Sequence, residues 1–116
     1  MISLRTWFVA ALVLGCGGAP KPEARIASSE GAIRGAQEAG AGSVPEATLH
    51  LKLAQEQRDQ AIQLVKNGDN HRAEMLLARA EADAELAVAL AREASARAEA
   101  DKASETVQDL NKKAGQ

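Results

Sequence analysis

The stretch NGDNHRAEMLLARAEADAELAVALA, residues 67–91, decides the fold of this 116-residue chain. It begins with a turn. Gly68 suits the left-handed backbone conformation that ends a helix, and Asp69 or Asn70 suits the cap of the helix that follows. Because so short a link leaves no room for a crossover, the helices on either side are predicted to form an antiparallel hairpin.

The helix after the turn is predicted to run from about residue 70 to 113, a length of about 65 Å. Small or aliphatic side chains recur in it at alternating spacings of four and three, as in a coiled-coil seam. These positions are Ala73, Leu77, Ala80, Ala84, Ala87, Ala91, Ala94 and Ala98. Alanine at nearly every seam position predicts unusually close helix packing.

The helix before the turn is predicted over residues 44–67, with Ser43 as its cap, Pro45 in its first turn and Glu46 completing a capping box. Its seam is Ala47, Leu51, Ala54, Arg58, Ala61 and Val65. Arg58 is expected to lay its stem along the seam and carry its charge outward. When the residues of the two helices are paired outward from the turn, the helix before the turn covers the long helix only to about residue 95.

A shorter helix is predicted over residues 23–39, where Ala27, Gly31, Gly35 and Ala39 form a row of small side chains. Close helix approach along that row is the expected compensation for two interior glycines. No segment alternates like a strand. The fold class is therefore all-α: an alanine-rich, coiled-coil-like antiparallel hairpin with a third, N-terminal helix and a projecting C-terminal helix. The sequence leaves open whether the first helix folds back or runs in line.

A second stripe on the long helix lies on a different face from the seam. We call it the interaction face, and its residues are Leu86, Ala89, Ala96, Ala100, Ala103, Val107 and Leu110. An apolar stripe of this kind needs a cover. The first helix, a second copy of the chain and another protein are the three candidates.

The N-terminus is predicted to be a targeting segment comprising residues 1–15. Arg5 precedes the apolar run WFVAALVL, residues 7–14, which spans about 12–15 Å as a helix and is too short for a bilayer core of about 30 Å. The run ends in Val13, Leu14, Gly15 and Cys16, which resembles the lipobox of bacterial lipoproteins. An uncleaved or non-lipidated signal is the alternative.

The lipobox resemblance implies that Cys16, the chain's one cysteine, receives a diacylglycerol and becomes the acylated N-terminus after cleavage. Residues 16–22 would form the lipidated cysteine and a flexible Gly/Pro tether, followed by the helical domain over 23–116. Residue 17 is Gly rather than Asp, and the resemblance to enterobacterial lipoproteins, which are sorted by this residue, then implies the inner leaflet of the outer membrane, facing the periplasm.

Composition and spacing argue against several function classes. Both aromatic residues precede Cys16 and charges of both signs are interspersed, so nucleic-acid binding is not expected. His50 and His71 lack metal-ligand spacing and are interpreted as solvated or hairpin-end histidines. The carboxylates Glu74, Glu81, Asp83 and Glu85 are interpreted as solvated partners of nearby arginines. No catalytic residue, cofactor site, metal site or enzymatic activity is predicted.

The residues that carry a family resemblance lie between about 24 and 100. They are Pro45-Glu46, Leu49, Ala54, Gly68-Asp69, Ala73, Ala78, Ala80 and the run Asp83-Ala84-Glu85-Leu86-Ala87. The pattern resembles the DUF4398 family of small bacterial envelope proteins. The resemblance implies a lipoprotein or secreted protein, and it brings neither an activity nor catalytic residues.

Two function classes remain. The first is a structural or adaptor lipoprotein, held at the membrane by lipid, whose helices bind a protein partner or other copies of the chain. A self-associating alanine-zipper lipoprotein is a variant, but Lys112 and Lys113 are followed by Ala-Gly-Gln, so a covalent peptidoglycan link is not predicted. The second is a peptide-binding module, since GDNHRAEMLLARA also resembles part of a TPR repeat, although only one such hairpin is present.

Overall fold

The structure is a computed structural model that describes residues 18–115. Within them the elements are α1 (Glu23–Glu38), a 3₁₀ turn (Ala41–Ser43), α2 (Pro45–Lys66) and α3 (Asn70–Ala114), with no strand. The all-α prediction is confirmed. Each helix boundary lies within one residue of the position predicted from the sequence.

The three helices form an up-down-up bundle. Ile26, near the start of α1, packs against the cluster that contains Ala73 and Leu77 at the start of α3. Ile33 and Ala36, later in α1, belong to the cluster of α3 residues 84–91. Since both helices advance together, α1 runs parallel to α3 and antiparallel to α2. The first helix therefore folds back onto the hairpin.

The turn between α2 and α3 has the predicted geometry. Gly68 has φ 82°, in the left-handed region where glycine carries no steric penalty. The Asp69 carboxylate accepts a hydrogen bond from the backbone N–H of Arg72 at 3.3 Å and so caps α3. Beside this turn, the Asn70 Nδ2 donates to the carbonyl oxygen of Ala19 at 2.5 Å. The segment before α1 is thereby held at the turn end of the hairpin.

The predicted start of α2 is partly wrong. Pro45 does occupy the first turn, but Ser43 lies in the 3₁₀ turn and the cap is Val44, without a side-chain hydrogen bond. Thr48 stabilises this corner instead, because its Oγ1 donates to the carbonyls of Ala41 and Val44, each at 2.9 Å. The 3₁₀ turn places Ser43 one residue too early to cap, and no capping box with Glu46 forms.

The core follows the predicted alanine seam. Its buried members are Ala47, Leu51, Ala54 and Ala61 of α2 and Ala73, Leu77, Ala80, Ala84, Ala87 and Ala91 of α3. Leu77 is the one large aliphatic side chain that is fully buried among the described residues. Ala94 is half-buried and Ala98 is exposed, so α2 covers α3 as far as predicted.

The predicted packing of the row of small residues on α1 is wrong for Ala27, Gly31 and Gly35, and only Ala39 packs against the core. Ala27 and Gly31 are exposed, and a Cβ added at Gly31 or Gly35 would meet nothing within 4 Å. The buried face of α1 is instead Ser29, Ile33 and Ala36. This face was identifiable from the two isoleucines of α1, since burying an isoleucine removes far more apolar surface from water than burying a glycine does.

Candidate interaction surface

The interaction face is exposed along its whole length. Leu86 is 43% exposed, Val107 56% and Leu110 60%, and the alanines between them are also exposed. Helix α1 packs against α3 through the core cluster of Ala84, Ala87 and Ala91 and through Glu81, and it leaves the interaction face exposed. Of the three candidate covers, the first helix is therefore excluded.

The distal part of α3 has no tertiary packing. Every residue after Ala94 is exposed up to Gly115, the last described residue. The side-chain hydrogen bonds in this part are local ones: Arg97 Nη2 donates to Glu93 Oε1 at 2.5 Å, and Thr106 Oγ1 donates to the Lys102 carbonyl at 2.9 Å. About 20 residues of helix thus present an apolar stripe that the described chain leaves uncovered.

Glu81 joins α3 to α1 on the packed side of the bundle. Its Oε1 accepts a hydrogen bond from Ser28 Oγ at 2.6 Å, and its Oε2 accepts one from Arg25 Nη1 at 3.0 Å. The Ser28 hydrogen bond, followed by the Arg25 hydrogen bond and charge, lowers the pKa of Glu81 below its ordinary value of 4.5. This pair of contacts fixes the register of α1 against α3.

Asp83 joins α3 to α2 on the opposite side. Its Oδ1 lies 2.9 Å from His50 Nδ1, and its Oδ2 accepts a hydrogen bond from Gln57 Nε2 at 2.8 Å. Both carboxylate oxygens are used, and the His50 and Asp83 side chains are each about three-quarters buried. The carboxylate therefore fixes the register between α2 and α3 at the edge of the seam.

These contacts correct two interpretations of the sequence. His71 is exposed as predicted, but His50 is half-buried and paired rather than solvated. Glu81 and Asp83 pair with other helices rather than with arginines of α3. The sequence pattern could have predicted these interhelical contacts. Both carboxylates are next to seam alanines, at the flanking positions where coiled coils place interhelical polar contacts.

Arg58, the one charged residue in the α2 seam, behaves as predicted. Its side chain is 25% exposed, and its Nε donates to the more exposed carboxylate of Asp59 at 2.8 Å. The stem thus lies along the seam while the charge reaches solvent. This arrangement removes the need for a functional explanation of a charge at that position.

A shallow groove of about 460 Å³ lies between α2 and α3 near their turn. Leu64, Met75 and Leu76 supply its apolar floor, and Arg72 and Arg79 flank it. Met75 is 53% exposed. The groove is a second, smaller apolar surface beside the turn.

Residues 18–115 contain no group of three or more histidine, cysteine, aspartate or glutamate side chains placed to hold a metal ion. Among the same residues, no helix is both long enough and apolar enough to cross a membrane. The predicted lipid-attachment residue Cys16 and the lipobox residues Val13, Leu14 and Gly15 lie outside the described part of the chain.

Comparison with known proteins gives one match. The model of a family described as "Domain of unknown function (DUF4398)" matches residues 24–103, which include α1, α2 and most of α3. No curated protein and no solved structure matches the chain. The matched region holds the whole bundle and the first half of the projecting helix.

Proposed function

The chain belongs to the DUF4398 family, and from that premise we propose that it is a non-enzymatic lipoprotein of the bacterial envelope. In this proposal Cys16 carries the lipid, and the helical bundle acts as a structural or adaptor module at the periplasmic side of the outer membrane. A protein partner or a second copy binds the interaction face.

The exposed interaction face is the observation that carries the adaptor role. Large aliphatic side chains such as Val107 and Leu110 stand more than half exposed on the distal segment of α3, residues 95–114, which no other part of residues 18–115 covers. Contiguous exposed apolar surface is typical of a site that binds another protein. The polar contacts of Glu81 and Asp83 are already used between helices, which fits a structural role for those carboxylates.

The sequence around Cys16 supports the anchor. A short apolar run, a small residue before the cysteine and a Gly/Pro stretch after it match what lipid attachment requires: a recognisable signal and an accessible thiol. Several acyl chains on one residue hold a protein at a membrane far more firmly than a single chain does.

The anchor is tested by membrane fractionation and mass spectrometry of the full chain produced in a Gram-negative bacterium. We expect the wild-type protein in the outer-membrane fraction with an acylated N-terminus at Cys16. The Cys16→Ser variant should lose the lipid and leave the membrane fraction. A variant that stays membrane-bound, or a wild-type chain that retains Met1, would contradict the anchor.

The adaptor role is tested by photo-crosslinking in cells. A photoreactive residue at Val107 should give a discrete crosslinked product, whereas the same residue at Ala98, on another face of the same exposed segment, should not. Equal crosslinking from both positions would contradict a specific interaction face.

The groove beside the turn favours the peptide-binding alternative as a second candidate. Its apolar floor and two flanking arginines suit a short apolar or acidic peptide. Met75→Asp would abolish peptide binding there and leave crosslinking from Val107 unchanged, which separates the two surfaces.

A further inference from the structure

We propose that the interaction face binds a second copy of this chain in antiparallel orientation, through residues 96–114 of α3. This inference rests on the proposed adaptor role of that face and names its partner. It follows from the spacing, the side-chain sizes and the charges of the uncovered segment.

The uncovered segment keeps an unbroken coiled-coil repeat. Beyond Ala94 the inner positions of the repeat, spaced four and three, are Ala96, Ala100, Ala103, Val107, Leu110 and Ala114. The bundle seam, by contrast, reaches Asp101 and Glu105 when it is extended. Beyond the stretch of α3 that α2 covers, the apolar surface of α3 therefore lies on a different face, which indicates a second packing partner.

In a pair of helices, each inner residue of one copy faces an inner residue of the other, and such a facing pair forms one layer. One antiparallel register places a small side chain opposite a large one in the central layers. In it Ala100 faces Leu110 of the second copy, and Ala103 faces Val107. The outer layers pair Ala96 with Ala114. Because the four central layers each combine one alanine with one larger aliphatic side chain, two straight helices can approach evenly across the centre of the overlap, and the smaller alanine layers lie at its two ends. The overlap begins beyond Ala94 and so does not collide with the bundle.

Charge complementarity supports the same register. In an antiparallel pair, residues that flank the seam on one side of a helix meet the equivalent residues of the other copy. The flanking charged residues Glu99 and Lys113 then meet twice, once at each end, and the remaining facing pairs contain no like charges. Shifting the register by one repeat brings Glu93 into a layer with Leu110 and Arg92 near Lys113, both of which are unfavourable.

A parallel pair fits less well. It would stack alanine on alanine at residues 96–103 and Leu110 on Leu110 further along, so that the distance between the helix axes would have to increase along the pair. It would also bring Arg92 of one copy near Arg97 of the other, with no compensating attraction between oppositely charged flanking residues.

The association is tested by sedimentation of the full chain carrying Cys16→Ser, which keeps the protein free of lipid. We expect a concentration-dependent dimer. Val107→Asp places a carboxylate in a central layer twice per dimer and should weaken association by about a hundredfold or more. Ala98→Asp is the matched control, since it adds the same charge to another exposed face and should leave the dimer intact. Circular dichroism of both variants checks that α3 remains helical.

The charge pair has its own test. Lys113→Glu should weaken the dimer by about three- to tenfold, and Glu99→Lys combined with Lys113→Glu should restore it. A double variant as weak as the single one would contradict the assigned register.

Orientation is tested by disulfide formation in the same Cys16→Ser background. Ala103→Cys and Val107→Cys chains should crosslink when mixed, because these residues face each other. Either variant alone should crosslink poorly, because the two identical cysteines of the dimer are then offset by four residues along the helix axes. Their Cα atoms are about 10 Å apart, which exceeds the range of a disulfide. Efficient crosslinking of Val107→Cys alone would demonstrate a parallel pair and overturn the proposal.

A Cys16→Ser chain without further changes that remains monomeric at all concentrations would also overturn this inference. The adaptor role would survive that result if Val107 still crosslinked a different protein in cells. Loss of membrane attachment would contradict the lipid anchor without affecting the dimer, since the sedimentation and disulfide experiments use unlipidated protein.

Discussion

Replacing Gly31 and Gly35 with alanine should stabilise the protein, although both glycines lie inside a helix of the bundle. A glycine within a helix is less favourable than alanine because the unfolded chain has more backbone freedom to lose. At these two positions the added Cβ meets nothing within 4 Å, so no steric clash opposes the gain.

The expected gain is about 1 kcal/mol for each substitution and about 2 kcal/mol for the pair, since neither added methyl group contacts the other helices. With an m-value of about 1–3 kcal/mol/M, 2 kcal/mol moves the midpoint of urea unfolding upward by about 1 M. Circular dichroism at 222 nm, recorded against urea for the full chain, measures this shift.

The same substitution at Gly68 is the matched control. Gly68 has φ 82°, and an alanine held in that conformation costs about 1–2 kcal/mol. Gly68→Ala should therefore lower the midpoint while Gly31→Ala and Gly35→Ala raise it. If the α1 variants also lowered the midpoint at an unchanged m-value, the reasoning would be refuted, and the row of small residues would have to pack against something.

Three further changes probe the bundle. Leu77→Ala should lower the free energy of unfolding by about 2–5 kcal/mol, measured by urea unfolding, because it empties a fully buried site in an alanine-rich core. Asp83→Ala should cost about 1–2 kcal/mol by the same measurement through loss of two interhelical hydrogen bonds, whereas Glu85→Ala, at an exposed position, should change stability by less than about 0.5 kcal/mol. Because folding lowers the pKa of Glu81, its contribution to stability is fully present above the unfolded pKa and is lost as pH falls through the folded pKa. Glu81→Gln should thus destabilise the chain at pH 7 and match the wild type in strong acid, as urea unfolding across that pH range will show.

The hairpin was predictable from the sequence because its signals are local and agree with one another. Gly68 and Asp69 fix the turn through backbone conformation and capping, and the four-three spacing of the alanines fixes the face that α2 covers. These signals act through neighbouring residues, so no knowledge of the rest of the fold is needed to interpret them.

The errors share a different cause. Gly31 and Gly35 have no side chain, so a row of small residues does not by itself tell a packed face from a solvated one. The partners of Glu81 and Asp83 lie 26 or more residues away in sequence, and local helical spacing suggested nearer ones. At the start of α2, a 3₁₀ turn displaced Ser43 from the capping position. Packing between helices decided the first two cases, and a local turn decided the third.

The hydrogen bond between Ala19 and Asn70 sets the direction in which the molecule would stand on a membrane. Three peptide units separate Ala19 from the proposed anchor at Cys16, so the turn end of the hairpin would lie close to the lipid. The distal half of α3 would then point outward, starting about 39 Å away. In the proposed antiparallel pair the two turn ends are about 105 Å apart and face opposite directions. Because both copies carry the same anchor, such a pair would lie along one membrane as a strut that is attached at both of its ends.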